Sequence, residues 1–211
     1  MARQSISCNI AIIPPLAIAK KAIAASRRFK KQGGLYVLDG KNYFPHVTLY
    51  MTEFPKKNLP AIKEALHDVI TRTTSFPLTF SRNYHDAPSG FIVAHFRTTK
   101  AITTLHRRIV RACNPFREGL IRPRDQEALL TLTKRQQQNL LRYGYRDVYT
   151  LYHPHCTFSR LPPLTHNLYT LLSKKLPTFS PIAIGLFQSG EHGTCKKLLA
   201  KFSLNEWDGR A

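Results

Sequence analysis

Two short stretches of the chain share a pattern that could carry out acid–base chemistry. Residues 45–49 read Pro-His-Val-Thr-Leu, and residues 154–158 read Pro-His-Cys-Thr-Phe. Polar and apolar positions alternate in both stretches, which is typical of a half-buried β-strand. Because side chains two residues apart on a strand point to the same face, each stretch should present a histidine together with a threonine. The pairs are His46 with Thr48 and His155 with Thr157.

Two imidazoles and two hydroxyls form a set that suits phosphoester chemistry. Near pH 7 an ordinary imidazole, with a pKa of about 6.5, can be neutral or protonated. One histidine can therefore take a proton from an attacking water or 2′-hydroxyl while the other gives a proton to the leaving oxygen. Threonine hydroxyls can donate to the non-bridging phosphoryl oxygens, so charge is stabilised without a metal ion. The sequence leaves open which histidine is the base.

The remaining histidines are interpreted as having no part in this chemistry. A third His-x-Thr stretch, residues 192–194, has glycine where the other two have an apolar residue, and it lies in a turn composition. His153 alternates out of phase with His155 and should point elsewhere. The others lack any pattern, and we expect them to be structural or exposed: His67, His85, His95, His106 and His166.

The paired motifs resemble those of the 2H phosphoesterase superfamily, which includes the bacterial 2′-5′ RNA ligase-like proteins and cyclic nucleotide phosphodiesterases. The superfamily signature is two His-x-(Thr/Ser)-x motifs, commonly with proline before the histidine, as at residues 45–49 and 154–158. The resemblance implies a phosphoesterase without a metal or cofactor, which hydrolyses or transesterifies 2′,3′-cyclic phosphates or 2′-5′-linked RNA or nucleotides. It also implies an α+β fold of two pseudo-symmetric β/α lobes, each with a mainly antiparallel sheet, around a central cleft.

The predicted elements agree with a single bilobal domain over residues 1–211, in which the second half of the chain repeats the order of the first. Each lobe should contribute one motif strand to the cleft. Alternation and apolar runs predict strands at residues 6–13, 44–53, 76–84, 91–96, 152–160, 182–188 and 198–204. Amphipathic periodicity predicts helices at residues 16–31, 61–72, 99–113 and 164–176.

Residues 114–149 are long, polar and rich in arginine, and we interpret them as a family-variable insertion that is helical in part. Since the segment leads directly into the second motif strand, its end must lie near the cleft. We hypothesise that it forms a helical flap that contacts the substrate beyond the reacting phosphate, with Arg135 and Arg142 as the residues to test. The alternative is a surface excursion that makes no contact.

Three further residues are candidates for substrate binding. Arg160 follows the second motif and could clamp a phosphate, although a solvated arginine at a strand end would have the same sequence. Tyr43 and Tyr152, which flank the motif strands, could stack on a base. The alternative for both tyrosines is that they pack in the core.

The charge of the chain indicates an anionic partner. It has 32 lysines and arginines against 12 aspartates and glutamates, a net charge of +20, which favours RNA or a nucleotide-derived phosphate. Simple solubility is the alternative. No stretch is apolar enough to span a membrane, and we expect a monomer. The widely spaced cysteines include no Cys-x-x-Cys, which argues against a zinc site and favours a cytoplasmic location.

Three functions remain open from the sequence. The first is a metal-independent phosphoesterase that acts on RNA ends or on a nucleotide-derived cyclic phosphate. The second is an enzyme for a small ribose cyclic phosphate, because residues 132–136 and 141–145 resemble a 2H subgroup tied to phosphonate metabolism. The third is an RNA-binding module with little activity. The affinity for an RNA substrate would fall steeply as the salt concentration rises, whereas the affinity for a small cyclic phosphate would fall only slightly.

Overall fold

Two antiparallel sheets form the framework of the part of the chain described by the computed structural model, which is residues 4–86, 89–162 and 175–205. The strands are β1 (Ser5–Ile13), β2 (Val47–Pro55), β3 (Phe80–Asp86), β4 (Phe91–Phe96), β5 (His155–Arg160), β6 (Ala183–Ser189) and β7 (Cys195–Ser203). One sheet has the order β2-β1-β6-β7 and the other β3-β4-β5. The first motif strand, β2, and the second, β5, are therefore edge strands of different sheets.

The described helices are α1 (Leu16–Lys30), α2 (Leu59–Thr71), α3 (Lys100–Cys113), α4 (Pro123–Glu127) and α5 (Lys134–Tyr143). Three of them, α1, α2 and α3, pack against these sheets. Helix α1 buries an apolar stripe that ends at Phe29, whose ring stacks on Phe158 of β5 at 6.3 Å. Helices α2 and α3 contact each other and lie against β7 and β2, respectively. The predicted helix at 164–176 falls mostly on residues 163–174, which lie outside the described ranges.

The predicted fold class is confirmed, but the lobes do not correspond to the two halves of the sequence. Strand β1 pairs with β2 on one side and, from the far end of the chain, with β6 on the other, where Cys8 faces Gln188. Strands β3 and β4 come from the first half yet pair with β5 from the second, where Val93 faces Thr157. Each lobe still contributes one motif strand, as expected.

Four predicted strand boundaries were wrong at their N-terminal ends, and one of them is that of β7, which begins at Cys195 rather than at residue 198. The first motif strand begins at Val47 rather than at residue 44, so His46 immediately precedes it. The second begins at His155 rather than at residue 152, and β3 begins at Phe80 rather than at residue 76. Proline accounts for the two motif strands, because it donates no hydrogen bond to a ladder and here stands directly before each histidine.

The helical content predicted for residues 114–149 is present and is anchored to the first sheet. Helix α5 starts at a capping box between Thr133 and Gln136 and ends at Gly144, whose φ is +67°. A Cβ on Gly144 would lie 2.1 Å from Thr52 Oγ1 on β2, so this turn tolerates only glycine. The buried Arg117 donates to the Leu120 and Leu141 carbonyls, which joins the start of the segment to α5.

His106 connects the end of this segment to β2. Its Nδ1 lies 2.6 Å from the Leu49 carbonyl oxygen, and its Nε2 accepts from the Tyr149 backbone N–H at 2.9 Å. The ring also stacks face to face on Tyr152 at 4.0 Å. With one nitrogen donating and the other accepting, the ring is neutral, and burial lowers its pKa to about 4. His106 was expected to be structural or exposed, and the structure shows the structural role.

The neutral His106 should make stability depend on pH. In the unfolded chain the ring binds a proton below its ordinary pKa of about 6.5, whereas the folded protein resists protonation down to about 4. The free energy of unfolding should therefore fall as the pH falls through this window, by on the order of 3 kcal/mol from this residue. His106→Gln should be less stable near neutral pH, yet lose less stability on acidification, because an amide does not titrate.

Urea unfolding at several pH values measures both effects. His67→Gln is the matched control, because the His67 side chain is exposed. A pH dependence identical in wild type and His106→Gln would contradict a buried neutral imidazole at this position.

Candidate active site

The two motifs meet at one cavity of about 260 Å³, lined by the four side chains His46, Thr48, His155 and Thr157. The cavity lies where the edge strands β2 and β5 come into contact. Its other walls come from β4, from the 114–149 segment and from the turn that precedes β7. The expectation that both motifs face one cleft is therefore confirmed.

Both motif histidines are oriented by the same local hydrogen bond. The Nδ1 of His46 lies 2.8 Å from the Phe44 carbonyl oxygen, and the Nδ1 of His155 lies 2.8 Å from the His153 carbonyl oxygen. A carbonyl oxygen only accepts, so each Nδ1 carries the proton and each neutral ring keeps its lone pair on Nε2. In both motifs the acceptor precedes the proline, which restricts that residue to extended backbone.

Asn9, from the neighbouring strand β1, supports the first motif. This side chain is fully buried, and its amide nitrogen lies 3.0 Å from Thr48 Oγ1, 3.4 Å from the Gly193 carbonyl oxygen and 3.5 Å from His46 Nε2. Since the Gly193 carbonyl only accepts, it fixes which end of the amide faces the motif. The Thr48 hydroxyl thus accepts from Asn9 and retains its own proton for an acceptor in the cavity.

The two imidazoles have different electrostatic surroundings. Burial lowers the pKa of His46 to about 4, and charge on His155 lowers it further, against the opposing hydrogen bonds to the Phe44 and Gly193 carbonyls. Burial also lowers the pKa of His155, but the His153 hydrogen bond and the Asp147 carboxylate raise it. Asp147 lines the same cavity. The Asp147 carboxylate thus favours the protonated form of His155, whereas the charge that acts on His46 disfavours its protonated form.

The structure contradicts base stacking by the two predicted tyrosines. Tyr152 is only 3% exposed, its ring face is covered by His106, and its hydroxyl donates to the Thr48 carbonyl at 3.0 Å. Tyr43 stacks on Tyr36 at 5.8 Å and does not line the cavity. Tyr152 therefore supports β2 from the core, and Tyr43 packs between the Tyr36 ring and the Lys196 ammonium group.

Arg160 also lies behind the cavity wall rather than in it. Its Nε donates to the Ser89 carbonyl at 2.8 Å, and its Nη1 donates to His192 Nδ1 at 3.0 Å. The expectation that Arg160 clamps the phosphate directly is therefore wrong. Because arginine only donates, the bonded His192 is neutral and carries its proton on Nε2.

The third His-x-Thr stretch, which we interpreted as having no part in the chemistry, nevertheless borders the site. His192 and Gly193 line the cavity, and Thr194 is buried beside them. His95 was also expected to be structural or exposed, yet it lines the cavity, with its ring 5.8 Å from that of His155. Strand pairing places His95 directly opposite His155. No pattern along the chain indicates that register.

The 114–149 segment does form part of the cavity wall, but not through the residues that we expected. Arg122, Arg124 and Arg146 line the cavity, together with Asp125 and Asp147. Arg135 and Arg142 are exposed and do not line it, because they lie on the solvent side of α5. A count of basic residues along a segment cannot show which of them face a cleft.

Comparison with known proteins places the chain in a family. It matches the family model of the 2′-5′ RNA ligase superfamily over residues 14–183 and belongs to that superfamily. The resemblance to 2H phosphoesterases that the two motifs indicated is therefore confirmed, and membership supports a phosphoesterase or 2′-5′ RNA ligase-like activity. A search of curated proteins found no significant match.

Solved structures of LigT and a related protein share the fold. Escherichia coli LigT complexed with phosphate is 15% identical, with a TM-score of 0.60, over 96% of this chain and 99% of that chain. LigT complexed with 3′-AMP is 16% identical, with a TM-score of 0.62, over 95% and 99%. TT0787 of Thermus thermophilus is 16% identical, with a TM-score of 0.57 and the same coverage.

Two absences within the described ranges concern metal ions and membranes. Within the described ranges, His, Cys, Asp and Glu form no group of three or more that could hold a metal ion. No helix in that part of the chain has the length and apolar character to cross a membrane.

The hydrogen bonds to the Phe44 and His153 carbonyls predict an unusual tautomer at both motifs. When neutral, His46 and His155 should carry their protons on Nδ1, whereas a free imidazole in water favours Nε2. Nitrogen-15 NMR of labelled protein above neutral pH distinguishes the two forms, and His67 serves as an exposed reference. Protons on Nε2 of His46 and His155 would contradict the orientation that presents both lone pairs to the cavity.

Proposed function

We propose that this protein is a metal-independent phosphoesterase that opens 2′,3′-cyclic phosphates or cleaves 2′-5′ phosphodiester bonds at nucleotide or RNA ends. The observation that carries this proposal is the duplicated arrangement at the cavity, in which each motif turns a lone-pair-bearing Nε2 and a threonine hydroxyl toward one space. One phosphate group fits such an arrangement, with a proton acceptor on one side and a proton donor on the other.

We assign the base to His46 and the acid to His155. His46 has its pKa lowered to about 4, and its Nε2 faces the Asn9 amide donor, so this ring is neutral. His155 has the Asp147 carboxylate to stabilise a proton. Water attacks phosphorus and gives its proton to His46 Nε2, while the bond to the 2′- or 3′-oxygen breaks and that oxygen takes the proton from His155 Nε2. Proton exchange with solvent then restores the neutral His46 and the protonated His155.

The threonines stabilise the charge that builds on the phosphoryl oxygens. Thr48 has its proton free to donate, because Asn9 already donates to its Oγ1. Thr157 occupies the corresponding position on β5 and lines the same cavity. Oriented hydroxyls of this kind act where charge develops, at little reorganisation cost.

A small ribose cyclic phosphate is the second candidate substrate. The observation that favours it is that Tyr145, from the segment that resembles the phosphonate-related subgroup, lines the cavity. The same two histidines would open its ring, so the two candidates differ in substrate and share the chemistry.

Removal of either motif histidine should abolish most of the activity. His46→Ala and His155→Ala should each lower kcat by about 10²-fold to 10⁴-fold, the range typical of a general acid or base. His153→Ala is the matched control, because it keeps the carbonyl that orients His155 and removes only an exposed ring. Turnover of adenosine 2′,3′-cyclic phosphate by wild type should persist in EDTA, and kcat/KM should be greatest on the acid side of neutrality.

The acidic optimum of kcat/KM follows from the direction of the pKa shifts of His46 and His155. The free enzyme must have one neutral and one protonated imidazole, and burial lowers both pKa values below the ordinary range. A strict requirement for an added divalent metal, or full activity in both alanine variants, would contradict the proposed mechanism.

Asn9 should act through Thr48. Asn9→Leu should lower kcat by roughly 10-fold, about the effect of one lost hydrogen bond, and Thr48→Val should lower it at least as much. The double variant should be little slower than Thr48→Val alone, since the amide then keeps only its 3.5 Å contact with His46 Nε2 in the site. Unfolding midpoints of all three variants control for stability, and fully additive losses in kcat would show that Asn9 acts independently of Thr48.

A further inference from the structure

The wall of the cavity that the 114–149 segment supplies carries more positive charge than its own carboxylates neutralise. Arg122 is buried and donates its Nε to Asp125 at 2.7 Å. Arg146 donates its Nε to Asp147 at 3.1 Å. These two pairs are locally neutral, and Arg124 is the further guanidinium on the same wall.

Arg124 is held among like charges. Within the described part of the chain no hydrogen bond or ion pair engages its guanidinium, although the Asp125 carboxylate acts on it from nearby. The residue is exposed, but partial burial of the guanidinium lowers its pKa, and the charge of Arg122 lowers it further, with Arg146 and Arg160 adding to the effect. Such clustering costs free energy in the unliganded protein, and a bound anion would offset that cost.

Arg124 lines a second hollow as well as the cavity. Together with Arg122 it borders this second hollow of about 450 Å³, which is lined by Lys196, by Glu191 and by Ser189 at the end of β6. The Ser189 Oγ atom there is inaccessible to solvent and has no hydrogen-bond partner among the described residues. Because that hydroxyl is inaccessible, the hollow can offer an anion only its charged border, where Arg124 and Lys196 lie beside the Glu191 carboxylate.

We propose that Arg124, with Lys196 farther out, binds a second phosphate of the substrate, distinct from the phosphate that lies between the two motif histidines. This inference rests on the proposed function and specifies its substrate: a cyclic phosphate end that bears another phosphate group. That group is a 5′-phosphate on a mononucleotide or the next phosphodiester of an oligonucleotide. The reacting phosphate has its own four contacts from the motifs, whereas Arg124 belongs to a different wall and faces both hollows.

The kinetic test compares two substrates that differ only in the second phosphate. Adenosine 2′,3′-cyclic phosphate and its 5′-phosphorylated form are turned over by wild type, Arg124→Ala and Arg142→Ala. The loss in kcat/KM caused by Arg124→Ala should be about 10-fold to 100-fold greater on the 5′-phosphorylated substrate, as expected for a lost charge-assisted contact. Arg142→Ala is the control, because that exposed arginine of the same segment borders a different hollow beside Tyr143.

A dinucleotide that ends in a 2′,3′-cyclic phosphate distinguishes the two sources of the second phosphate. Greater sensitivity to Arg124→Ala on the dinucleotide than on the 5′-phosphorylated mononucleotide assigns the subsite to an RNA backbone, and the reverse order assigns it to a terminal phosphate. Equal losses on all three substrates would overturn the proposal, because Arg124 would then serve the reacting phosphate or the fold.

A binding measurement separates this proposal from the proposed function. Calorimetry with adenosine 2′-phosphate and adenosine 2′,5′-bisphosphate requires no turnover. Wild type should bind the bisphosphate about 10-fold more tightly, and Arg124→Ala should abolish the preference while Arg142→Ala retains it. Equal binding of the two nucleotides by wild type would overturn the second-phosphate subsite even if both cyclic substrates are hydrolysed. A preference without any hydrolysis would contradict only the proposed catalysis.

Discussion

The hydrogen bond from each motif imidazole to the carbonyl two residues earlier is the constraint on which the site depends. Phe44 and His153 each lie before a proline, so their backbone is restricted to an extended conformation and their carbonyls have little freedom. The carbonyl accepts from Nδ1 and thereby presents Nε2 to the cavity. The same local hydrogen bond, made once in each motif, thus produces two similar imidazoles that face one cavity.

The two motifs can act on one phosphate only if the edge strands β2 and β5 are held together. His106 and Tyr152 do this from behind the site, because His106 bonds to Leu49 on β2 and Tyr152 bonds to the Thr48 carbonyl. Their stacked rings form part of the core rather than a substrate platform. The two motif histidines differ in their electrostatic surroundings because of their neighbours. An amide donor lies beside His46, and a carboxylate lies near His155.

The local features of the site could be predicted from the sequence, whereas the long-range ones could not. Alternation determines which faces of the motif strands carry His and Thr, since that depends only on residues two apart. The pairing of β1 with β6, and hence the entry of His192 into the cavity, depends on contacts across almost the whole chain. Asn9 and His95 carry no sequence signal either, because their roles come from register with a neighbouring strand.

A crystal structure with orthovanadate, which mimics a phosphoryl group in transfer, tests the central claim most directly. The account predicts one vanadate whose oxygens lie within hydrogen-bonding distance of Nε2 of both His46 and His155, with the Thr48 and Thr157 hydroxyls donating to it. In that complex each Nδ1 should remain bonded to its backbone carbonyl. A vanadate bound only at the arginine wall, or rings whose Nδ1 atoms face the anion, would contradict the account.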